Sequence, residues 1–364
     1  MENKTNQAIK GNNNVQQHVN NQVINQYNIS GVTEQQVHAI STQTALEICR
    51  EYCTLSSNQI SQRLADFEEK TINRIANVEH SLNEFSNPSF VWQYKQAQIQ
   101  AAITGDDNHY TLLCELLVHR INRKDNTYSQ TGVDGAIKIL SELSDSTLSA
   151  LTILCCILRS IHPCSPFIEE GLKTMDDLYG SIIKESILPT GYEWLDQLDI
   201  LQAIRIDNIS SFSKFPQIAA QIFDCYVSLG IKKESENYKK ALELQEKIGE
   251  TMLTINPLSP DYVKFPFSKN EISKRIITLN DKEIPLSSIP EIEQIFNLYD
   301  TENSALQNDV LAKFMTMFDS YHYLKMVHEW WDKINKACSL TSIGRVLGQA
   351  NAQKCYPGFP SDID

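Results

Sequence analysis

The pairing of residue types that comes nearest to acid–base chemistry lies near the C-terminus, in the segment HEWWDK. His328 and Asp332 are four residues apart, so a helix would present them on one face, with Glu329 beside them. An imidazole and a carboxylate together make a minimal acid–base pair. The set formed with His322 is too loosely spaced to give the three or four converging ligands that zinc needs. The adjacent tryptophans favour another interpretation, a hydrogen-bonded histidine in a packed region.

The nine cysteines indicate packing rather than chemistry. Their number is odd, no CxxC pair occurs, and most lie among apolar neighbours, where cysteine acts as a small hydrophobe. Cys49 and Cys53 are four residues apart but lack matching histidine or cysteine partners, which disfavours a metal site. This cysteine usage, without a basic and apolar N-terminal signal, predicts a reducing, cytoplasmic location.

The net charge and the absence of common catalytic motifs disfavour several classes of function. The chain carries 45 acidic and 32 basic residues, giving a formal net charge of −13 and a pI near 5.1. Such a surface disfavours binding to nucleic-acid phosphates and to anionic membranes. The sequence contains no Walker lysine loop and no GxGxxG, HExxH or GxSxG motif. We therefore predict no cofactor, no catalytic residue and no metal site, and we expect a protein that is not an enzyme.

Length and hydropathy describe a chain with a substantial core. Its 364 residues allow two or three domains, and 41% of them are hydrophobic. The most apolar stretch, LSALTILCCILRSI at residues 148–161, carries Arg159 and is about four helical turns long. A membrane span needs roughly 20 apolar residues. The stretch therefore predicts a buried core helix, with no membrane partner.

Residues 1–31 differ in kind from the rest of the chain, since fourteen of them are asparagine or glutamine. Apolar side chains recur on odd positions among the amides, which is the period-two pattern of a β-strand. The apolar face would contain Val15, Val19, Val23, Tyr27 and Ile29. One strand alone cannot bury this face, whereas copies from several chains can pair and stack their amides into ladders. The segment predicts a self-assembly strand, and a disordered polar tail is the alternative.

Residues 32–86 predict one long helix. Thr33 and Gln36 form a capping box, and the segment contains neither proline nor glycine. Apolar residues recur at steps of three and four with one stutter at Thr71, which is the pattern of a narrow coiled-coil stripe. The assembly residues of this stalk would be Leu64, Phe67, Ile75, Val78, Leu82 and Phe85. Two alternatives stay open: a helix pair broken near Ser57, or an ordinary helix packed on its own globular body.

The rest of the chain is predicted to be an all-α globular body with at most one small hairpin, which makes the fold class mainly α. Amphipathic segments with short polar breaks define a helical body over residues 87–255. A C-terminal part follows over residues 256–364, and its irregular start contains a predicted hairpin at 275–286. The predicted domains are 1–31, 32–86, 87–255 and 256–364.

Two passages together carry a resemblance to known proteins. The first, LNEFSNPSFVWQYKQAQIQAAITGD, contains the turn Asn87-Pro88-Ser89; the second, WWDKINKACSLTSIGRVLGQAN, contains Leu340-Thr341-x-x-Gly344 before a helix. With the Asn/Gln-rich N-terminus, they resemble a family of bacterial cytosolic proteins known mainly by locus names, over nearly the whole chain. The second turn also resembles the C-terminal element of some abortive-infection proteins, although Ser342 stands where a proline is common. The resemblance implies a setting in anti-phage defence and assigns no activity.

The leading functional hypothesis is a non-enzymatic, self-assembling bacterial protein that acts as a sensor or scaffold in anti-phage defence. Its partners would be further copies of itself, with another defence protein or a phage component, and removal of residues 1–86 should leave a folded helical monomer. One alternative is a nucleic-acid-binding regulator that uses the 275–286 hairpin and the 341–354 helix as a winged-helix-like end, which the net charge of −13 disfavours. Another is an enzyme such as a nuclease, which would need buried carboxylates clustered in a cleft.

Val19→Asp or Val23→Asp is expected to loosen the N-terminal segment without unfolding the body. Each substitution places a charge on the apolar face of every paired copy, where it is desolvated and repelled by its symmetry mates. Gln22→Ser, on the other face, is the control and should have little effect. Limited proteolysis of residues 1–31 measures the difference. A wild-type segment that is cut as fast as the Val23→Asp segment would contradict the strand.

Overall fold

The computed structural model describes residues 32–51, 57–78, 81–122, 127–160, 165, 167–184, 186–273, 275–279 and 282–360. The predicted strand, with Val15, Val19, Val23, Tyr27 and Ile29, lies outside these residues. The described chain is mainly helical, as predicted, with fifteen α-helices and seven short strands. It divides into two compact units. The first unit runs to Ser144 and includes Thr341–Lys354, and the second contains Asp145–Leu340 and the residues from Cys355 onward.

The first unit is built from α-helices joined by short turns. Its helices are α1 (Glu34–Glu51), α2 (Ser57–Ala76), α3 (Pro88–Thr104), α4 (Asp107–Asn122), α5 (Thr127–Ile139) and α15 (Ser342–Cys355), and 3-10 helices span Ser81–Ser86 and Leu140–Glu142. Capping residues explain both ends of α3. Asn87 accepts a hydrogen bond from the Ser89 amide ahead of α3, and Gly105 ends α3 in the left-handed conformation at φ 64°.

Helix α2 lies at the centre of the first unit, in contact with α1, α3 and α4. Phe67 is fully buried, with its ring stacked on Tyr94 of α3 at 6.1 Å and edge-on to Tyr110 of α4 at 5.9 Å. On the polar side of α2, Arg74 donates two hydrogen bonds to the Glu115 carboxylate, at 2.7 and 3.0 Å. The apolar stripe of α2 is therefore covered by helices of its own chain.

This packing corrects the predicted coiled-coil stalk. Nδ1 of His38 on α1 lies 2.8 Å from Oε1 of Glu68 on α2, so the two helices pack side by side and the broken helix pair is the alternative that the structure supports. Of the predicted assembly residues, Leu64, Phe67, Ile75 and Phe85 are buried in the first unit, and Val78 and Leu82 are half-buried. The physical reason is that a stripe at steps of three and four requires an apolar partner without specifying which chain supplies it.

The C-terminal helix α15 belongs to the first unit although it is far from the other helices in sequence. Two glycines of α5 face it: a Cβ at Gly132 would lie 2.9 Å from the Ser342 carbonyl oxygen, and one at Gly135 would lie 2.5 Å from Cδ1 of Ile343. The observed division falls after residues 144, 340 and 354, whereas the predicted boundaries followed residues 31, 86 and 255. Composition along the sequence cannot show that α15 packs on α5, because the two helices are about 200 residues apart.

The second unit combines helices with three small antiparallel sheets. Its helices are α6 (Asp145–Leu158), α7 (Ile168–Ile183), α8 (Glu193–Ile200), α9 (Phe215–Ile222), α10 (Asp224–Val227), α11 (Glu236–Ile248), α12 (Pro290–Phe296), α13 (Ser304–Phe318) and α14 (His322–Trp331), with 3-10 helices at Lys269–Glu271 and Leu286–Ser288. Its strands are β1 (Ile204–Ile206), β2 (Ile231–Lys232), β3 (Thr254–Ile255), β4 (Tyr262–Lys264), β5 (Ile276–Leu279), β6 (Lys282–Pro285) and β7 (Cys338–Leu340).

The strands pair by short antiparallel registers. Strand β1 pairs with β7, with Ile204 opposite Leu340, and β4 lies between β2 and β3. Strands β5 and β6 pair with Ile277 opposite Ile284, which confirms the hairpin predicted at 275–286. Around β4, a compact apolar cluster joins the sheet to α11 and α12; it contains Ile231, Ala241, Val263, Phe265, Phe267, Leu286, Ile292 and Ile295.

Helix α6 confirms the prediction of a buried core helix, since every residue from Thr147 to Ile157 is buried. Beside it in sequence, α7 contacts α14, and the Asp176 carboxylate accepts hydrogen bonds from the Tyr323 and Leu324 amides at 2.7 and 3.0 Å. These amides belong to the first turn of α14 and lack partners within that helix. None of the described helices is both long and apolar enough to cross a membrane.

Phe67→Ala should lower the free energy of unfolding by about 3–5 kcal/mol, because it leaves a cavity between the rings of α3 and α4. Leu46→Ala on the exposed side of α1, where Leu46 is 54% exposed, is the control and should change it by less than about 0.5 kcal/mol. Chemical denaturation followed by circular dichroism measures both. A loss for Phe67→Ala that varies with protein concentration would instead indicate a stripe shared between chains.

Candidate functional site

His328, the acid–base candidate, lies between two carboxylates of the second unit. Its Nδ1 is 2.8 Å from Oδ1 of Asp319, and its Nε2 is 3.8 Å from Oδ2 of Asp332. The two aspartates are the residues that end α13 and α14, respectively. The imidazole is 19% exposed, and the Phe215 ring packs on it at 5.3 Å between centroids. The ring therefore bridges two helix ends within a mostly buried setting.

The other oxygen of Asp332 holds a neighbouring segment in place. Its Oδ1 accepts a hydrogen bond of 2.7 Å from the backbone amide of Phe215, the first residue of α9. Next to it, the indole N–H of Trp331 donates to the Ser213 carbonyl at 3.0 Å, and Trp330 also donates to a backbone carbonyl. Both members of the acid–base pair are thus engaged in fixing the start of α9. This confirms the interpretation of a hydrogen-bonded histidine beside packed tryptophans.

Sequence reasoning missed Asp319, which the structure brings to His328 in place of His322. The chain turns between α13 and α14, with backbone hydrogen bonds from Ser320 to Met317 and from Tyr321 to Phe318. A count of helical periods along one helix cannot find a residue on the preceding helix. The signal that was present is the polar break Asp319-Ser320 between two apolar runs, which marks where a helix ends.

The described buried thiols serve packing. Burial raises the pKa of Cys114 to about 11 and that of Cys338 to about 12, and it raises the pKa of Cys156 well above its ordinary value. A nucleophile or metal ligand needs the thiolate, which burial among apolar groups disfavours. Of the predicted Cys49 and Cys53 pair, Cys53 and the Cys49 side chain lie outside the described part of the chain.

Lys264 is a buried cation of the central strand β4, only 4% exposed. Its Nζ donates to the Tyr226 carbonyl at 2.6 Å and to the Ser228 carbonyl at 3.2 Å, at the C-terminal end of α10. A cation suits this position because the last carbonyls of a helix lack partners and carry partial negative charge. Desolvation lowers the pKa of Lys264 to about 8, against the opposing influence of Cys225 and Asp224.

The structure also bears on the predicted winged-helix-like end. The β5–β6 hairpin belongs to the second unit, whereas α15 belongs to the first. Most of the α15 surface is covered there, with Val346, Leu347 and Gln349 among its buried residues. Because a recognition helix must expose side chains to a DNA groove, this arrangement does not provide one.

These features define a mainly helical, two-unit protein in which His328, Asp332 and Lys264 hold helix ends and strands together. A protein-family model matches residues 31–361, and its description is a locus name followed by "-like". The chain belongs to this family, which confirms the predicted resemblance to a family known by locus names. No curated protein and no solved structure matches the chain. The resemblance to abortive-infection proteins stays a prediction.

Replacing Lys264 by methionine should change how stability depends on pH. The unfolded chain holds the lysine proton up to the ordinary pKa of 10.5, whereas the folded chain loses it near pH 8. Between these values the unfolded state binds more protons, so rising pH increases the free energy of unfolding by up to about 1.4 kcal/mol per pH unit. Below pH 8 the burial cost of the charge is constant.

The measurement is the wild-type free energy of unfolding minus that of Lys264→Met, from denaturation curves at pH 6–10.5. This difference should stay flat to about pH 7.5 and then rise. Subtraction is needed because buried thiols and phenols with raised pKa values oppose the trend in the same range. Lys239→Met, at a lysine that is 65% exposed, is the control, for which the difference should stay flat throughout. If the difference for Lys264→Met stays flat, the pKa of Lys264 is not lowered in the folded protein and the prediction is wrong.

Proposed function

We propose that the protein is non-enzymatic and self-assembling: residues 1–31 form the assembly strand, and the two helical units bind a partner. One observation carries the proposal, namely that the described body begins with its own cap. The Thr33 amide donates to Oε1 of Gln36 at 2.8 Å, and the Gln36 amide donates to Oγ1 of Thr33 at 3.3 Å. The preceding Val32 amide donates to Oδ1 of Asn83 at 3.1 Å. Residues of the first unit thus cap the start of α1, which supports a separate role for residues 1–31 in pairing between chains.

The hydrogen bonds of His328, Asp319 and Asp332 support a binding function rather than catalysis. A nuclease would need carboxylates clustered to hold a metal or activate water. Asp319 and Asp332 approach opposite nitrogens of the His328 ring, and one oxygen of Asp332 accepts a hydrogen bond from the Phe215 amide. Removing these groups from their partners would release α9 and the end of α14. They are therefore better suited to structure than to turnover.

The proposed setting is anti-phage defence, where the protein would act as a sensor or scaffold. This part of the proposal rests on the sequence resemblance, and the partner would be another defence protein or a phage component. An infection assay tests it: bacteria that express the full chain should resist phage better than bacteria that express the Val23→Asp chain. Equal phage yields with and without the full chain would contradict the setting.

Removing residues 1–31 should reduce the molar mass in solution to that of a monomer while leaving the helical circular dichroism of the body unchanged. Gln22→Ser should keep the full-length mass, and Val23→Asp should lower it. Light scattering measures all four proteins. A monomeric full-length chain, or an oligomer that survives the deletion unchanged, would contradict assembly through this segment.

The structure changes the outcome expected for the longer deletion. Residues 34–76 include α1 and α2, and α2 supplies the buried Phe67 at the centre of the first unit. Removal of residues 1–86 should therefore unfold the first unit, not leave a folded monomer. Loss of helical signal beyond the removed residues, measured per molecule, distinguishes the two expectations.

A further inference from the structure

A surface loop of the second unit exposes an isoleucine more completely than any other large apolar side chain among the described residues. This loop, residues 207–214, connects β1 to α9 and is called the Ile209 loop below. Ile209 is 97% exposed. Single exposed apolar residues are common on proteins, so its exposure alone assigns no role. Two further features distinguish this loop: hydrogen bonds fix its backbone, and the nearby side chains are mostly basic.

Side-chain hydrogen bonds fix the backbone on either side of Ile209. Oδ1 of Asp207 accepts from the Ile209 amide at 2.8 Å and from the Ser210 amide at 3.2 Å. These bonds favour the charged carboxylate and therefore lower the pKa of Asp207. From the opposite segment, Nζ of Lys336 donates to the Asn208 carbonyl at 3.0 Å.

Backbone bonds tie the same loop to the segment before β7. The Asp207 amide donates to the Ala337 carbonyl at 2.8 Å, and the Ala337 amide donates to the Ser210 carbonyl at 3.1 Å. Further along, Nζ of Lys214 donates to the Asp332 carbonyl at 2.7 Å. An apolar side chain on a backbone held at so many points loses little conformational entropy on binding, which favours it as an anchor.

The charge around the Ile209 loop is opposite in sign to that of the whole chain. Residues 205–214 and 332–337 carry the basic side chains Arg205, Lys214, Lys333 and Lys336 but only two acidic ones, Asp207 and Asp332, in a chain of net charge −13. None of the four basic side chains forms an ion pair with another residue that the structure describes. The two lysine contacts given above are to neutral carbonyls; Lys336 also attracts the Asp207 carboxylate, while the charge of Lys214 remains to attract a carboxylate from outside.

We propose that the Ile209 loop binds residues 362–364 of a second copy of this chain. That segment reads Asp362-Ile363-Asp364, an apolar side chain between two carboxylates, which complements an exposed isoleucine among basic side chains. Ile363 would pack on Ile209, and the carboxylates would face Lys214 and Lys336. The choice of a second copy rests on the proposed self-assembly, because chains joined at their N-termini hold such weak sites at high effective concentration.

This contact uses two different surfaces on each copy, so it is heterologous and continues from one chain to the next unless it closes into a ring. A nucleic acid fits the surface less well. It would bring many phosphates against the acidic surface beyond the loop, whereas a short acidic segment covers the loop alone.

The first experiment measures binding of a labelled peptide, PSDID, to the full chain by fluorescence anisotropy. The chain carries Asp362→Asn and Asp364→Asn, so that its own tail does not compete. Ile209→Ser and Lys336→Gln should each raise the dissociation constant at least tenfold; glutamine can still donate to the Asn208 carbonyl, so the loss reports the charge. Lys239→Gln, an exposed lysine elsewhere, and the peptide PSNIN are the controls. If the peptide does not bind, or if neither Ile209→Ser nor Lys336→Gln changes its dissociation constant, the proposed docking surface is wrong.

The second experiment assigns the source of the tail. In the Val23→Asp chain, where strand assembly is weakened, sedimentation should still show self-association that grows with concentration, and Ile209→Ser should abolish it. A mass that does not change with concentration, together with peptide binding, would mean that each tail folds onto its own loop and would overturn the second copy. The peptide-binding result does not depend on whether residues 1–31 form a strand, so its failure is distinguishable from failure of the proposed function.

Discussion

The close approach of α15 to α5 is the constraint on which the first unit depends. A Cβ at Gly132 would press on the Ser342 backbone, which cannot easily move, whereas at Gly135 the neighbour is the end of the flexible Ile343 side chain, so Gly132 is the residue that admits the helix. On α4, Nε2 of His119 also lies 2.7 Å from Oε1 of Gln353. The unit thus remains incomplete until the end of the chain is available, whereas the second unit is nearly continuous in sequence from Asp145 to Leu340. Non-local closure of this kind is slow relative to local packing, so the second unit can fold first.

Charged groups in the second unit are used to complete helix ends. Asp176 accepts from the first amides of α14, Lys264 donates to the last carbonyls of α10, and Asp332 accepts from the first amide of α9. Each of these helices is short, so the unpaired groups at its ends are a large share of its backbone. The same chemistry that suggests catalysis in a sequence, a carboxylate near an imidazole or a lysine with a lowered pKa, here satisfies backbone groups that would otherwise be buried without partners.

Charge and exposure distinguish the Ile209 loop from the rest of the chain. The chain has a strongly negative net charge, whereas the segments that form and hold the Ile209 loop carry four basic side chains and two acidic ones. An association built on such a site is weak for one copy and salt-sensitive, since exposed charges are screened. Assembly through residues 1–31 would strengthen this association, because it would raise the effective concentration of the binding sites. Strand pairing and tail binding would therefore be cooperative without sharing a residue.

The sequence by itself determined the helical class, the buried helix α6, the hairpin at 275–286 and the interpretation of His328, because each depends on local periodicity or on neighbouring residues. Tertiary structure alone decided three matters. The stripe containing Phe67 found its partner within the chain, α15 returned to the first unit, and Asp319 rather than His322 reached His328. The reason is common to all three: hydrophobic and hydrogen-bonding patterns specify that a partner is needed, and only the path of the chain through space determines which residue supplies it.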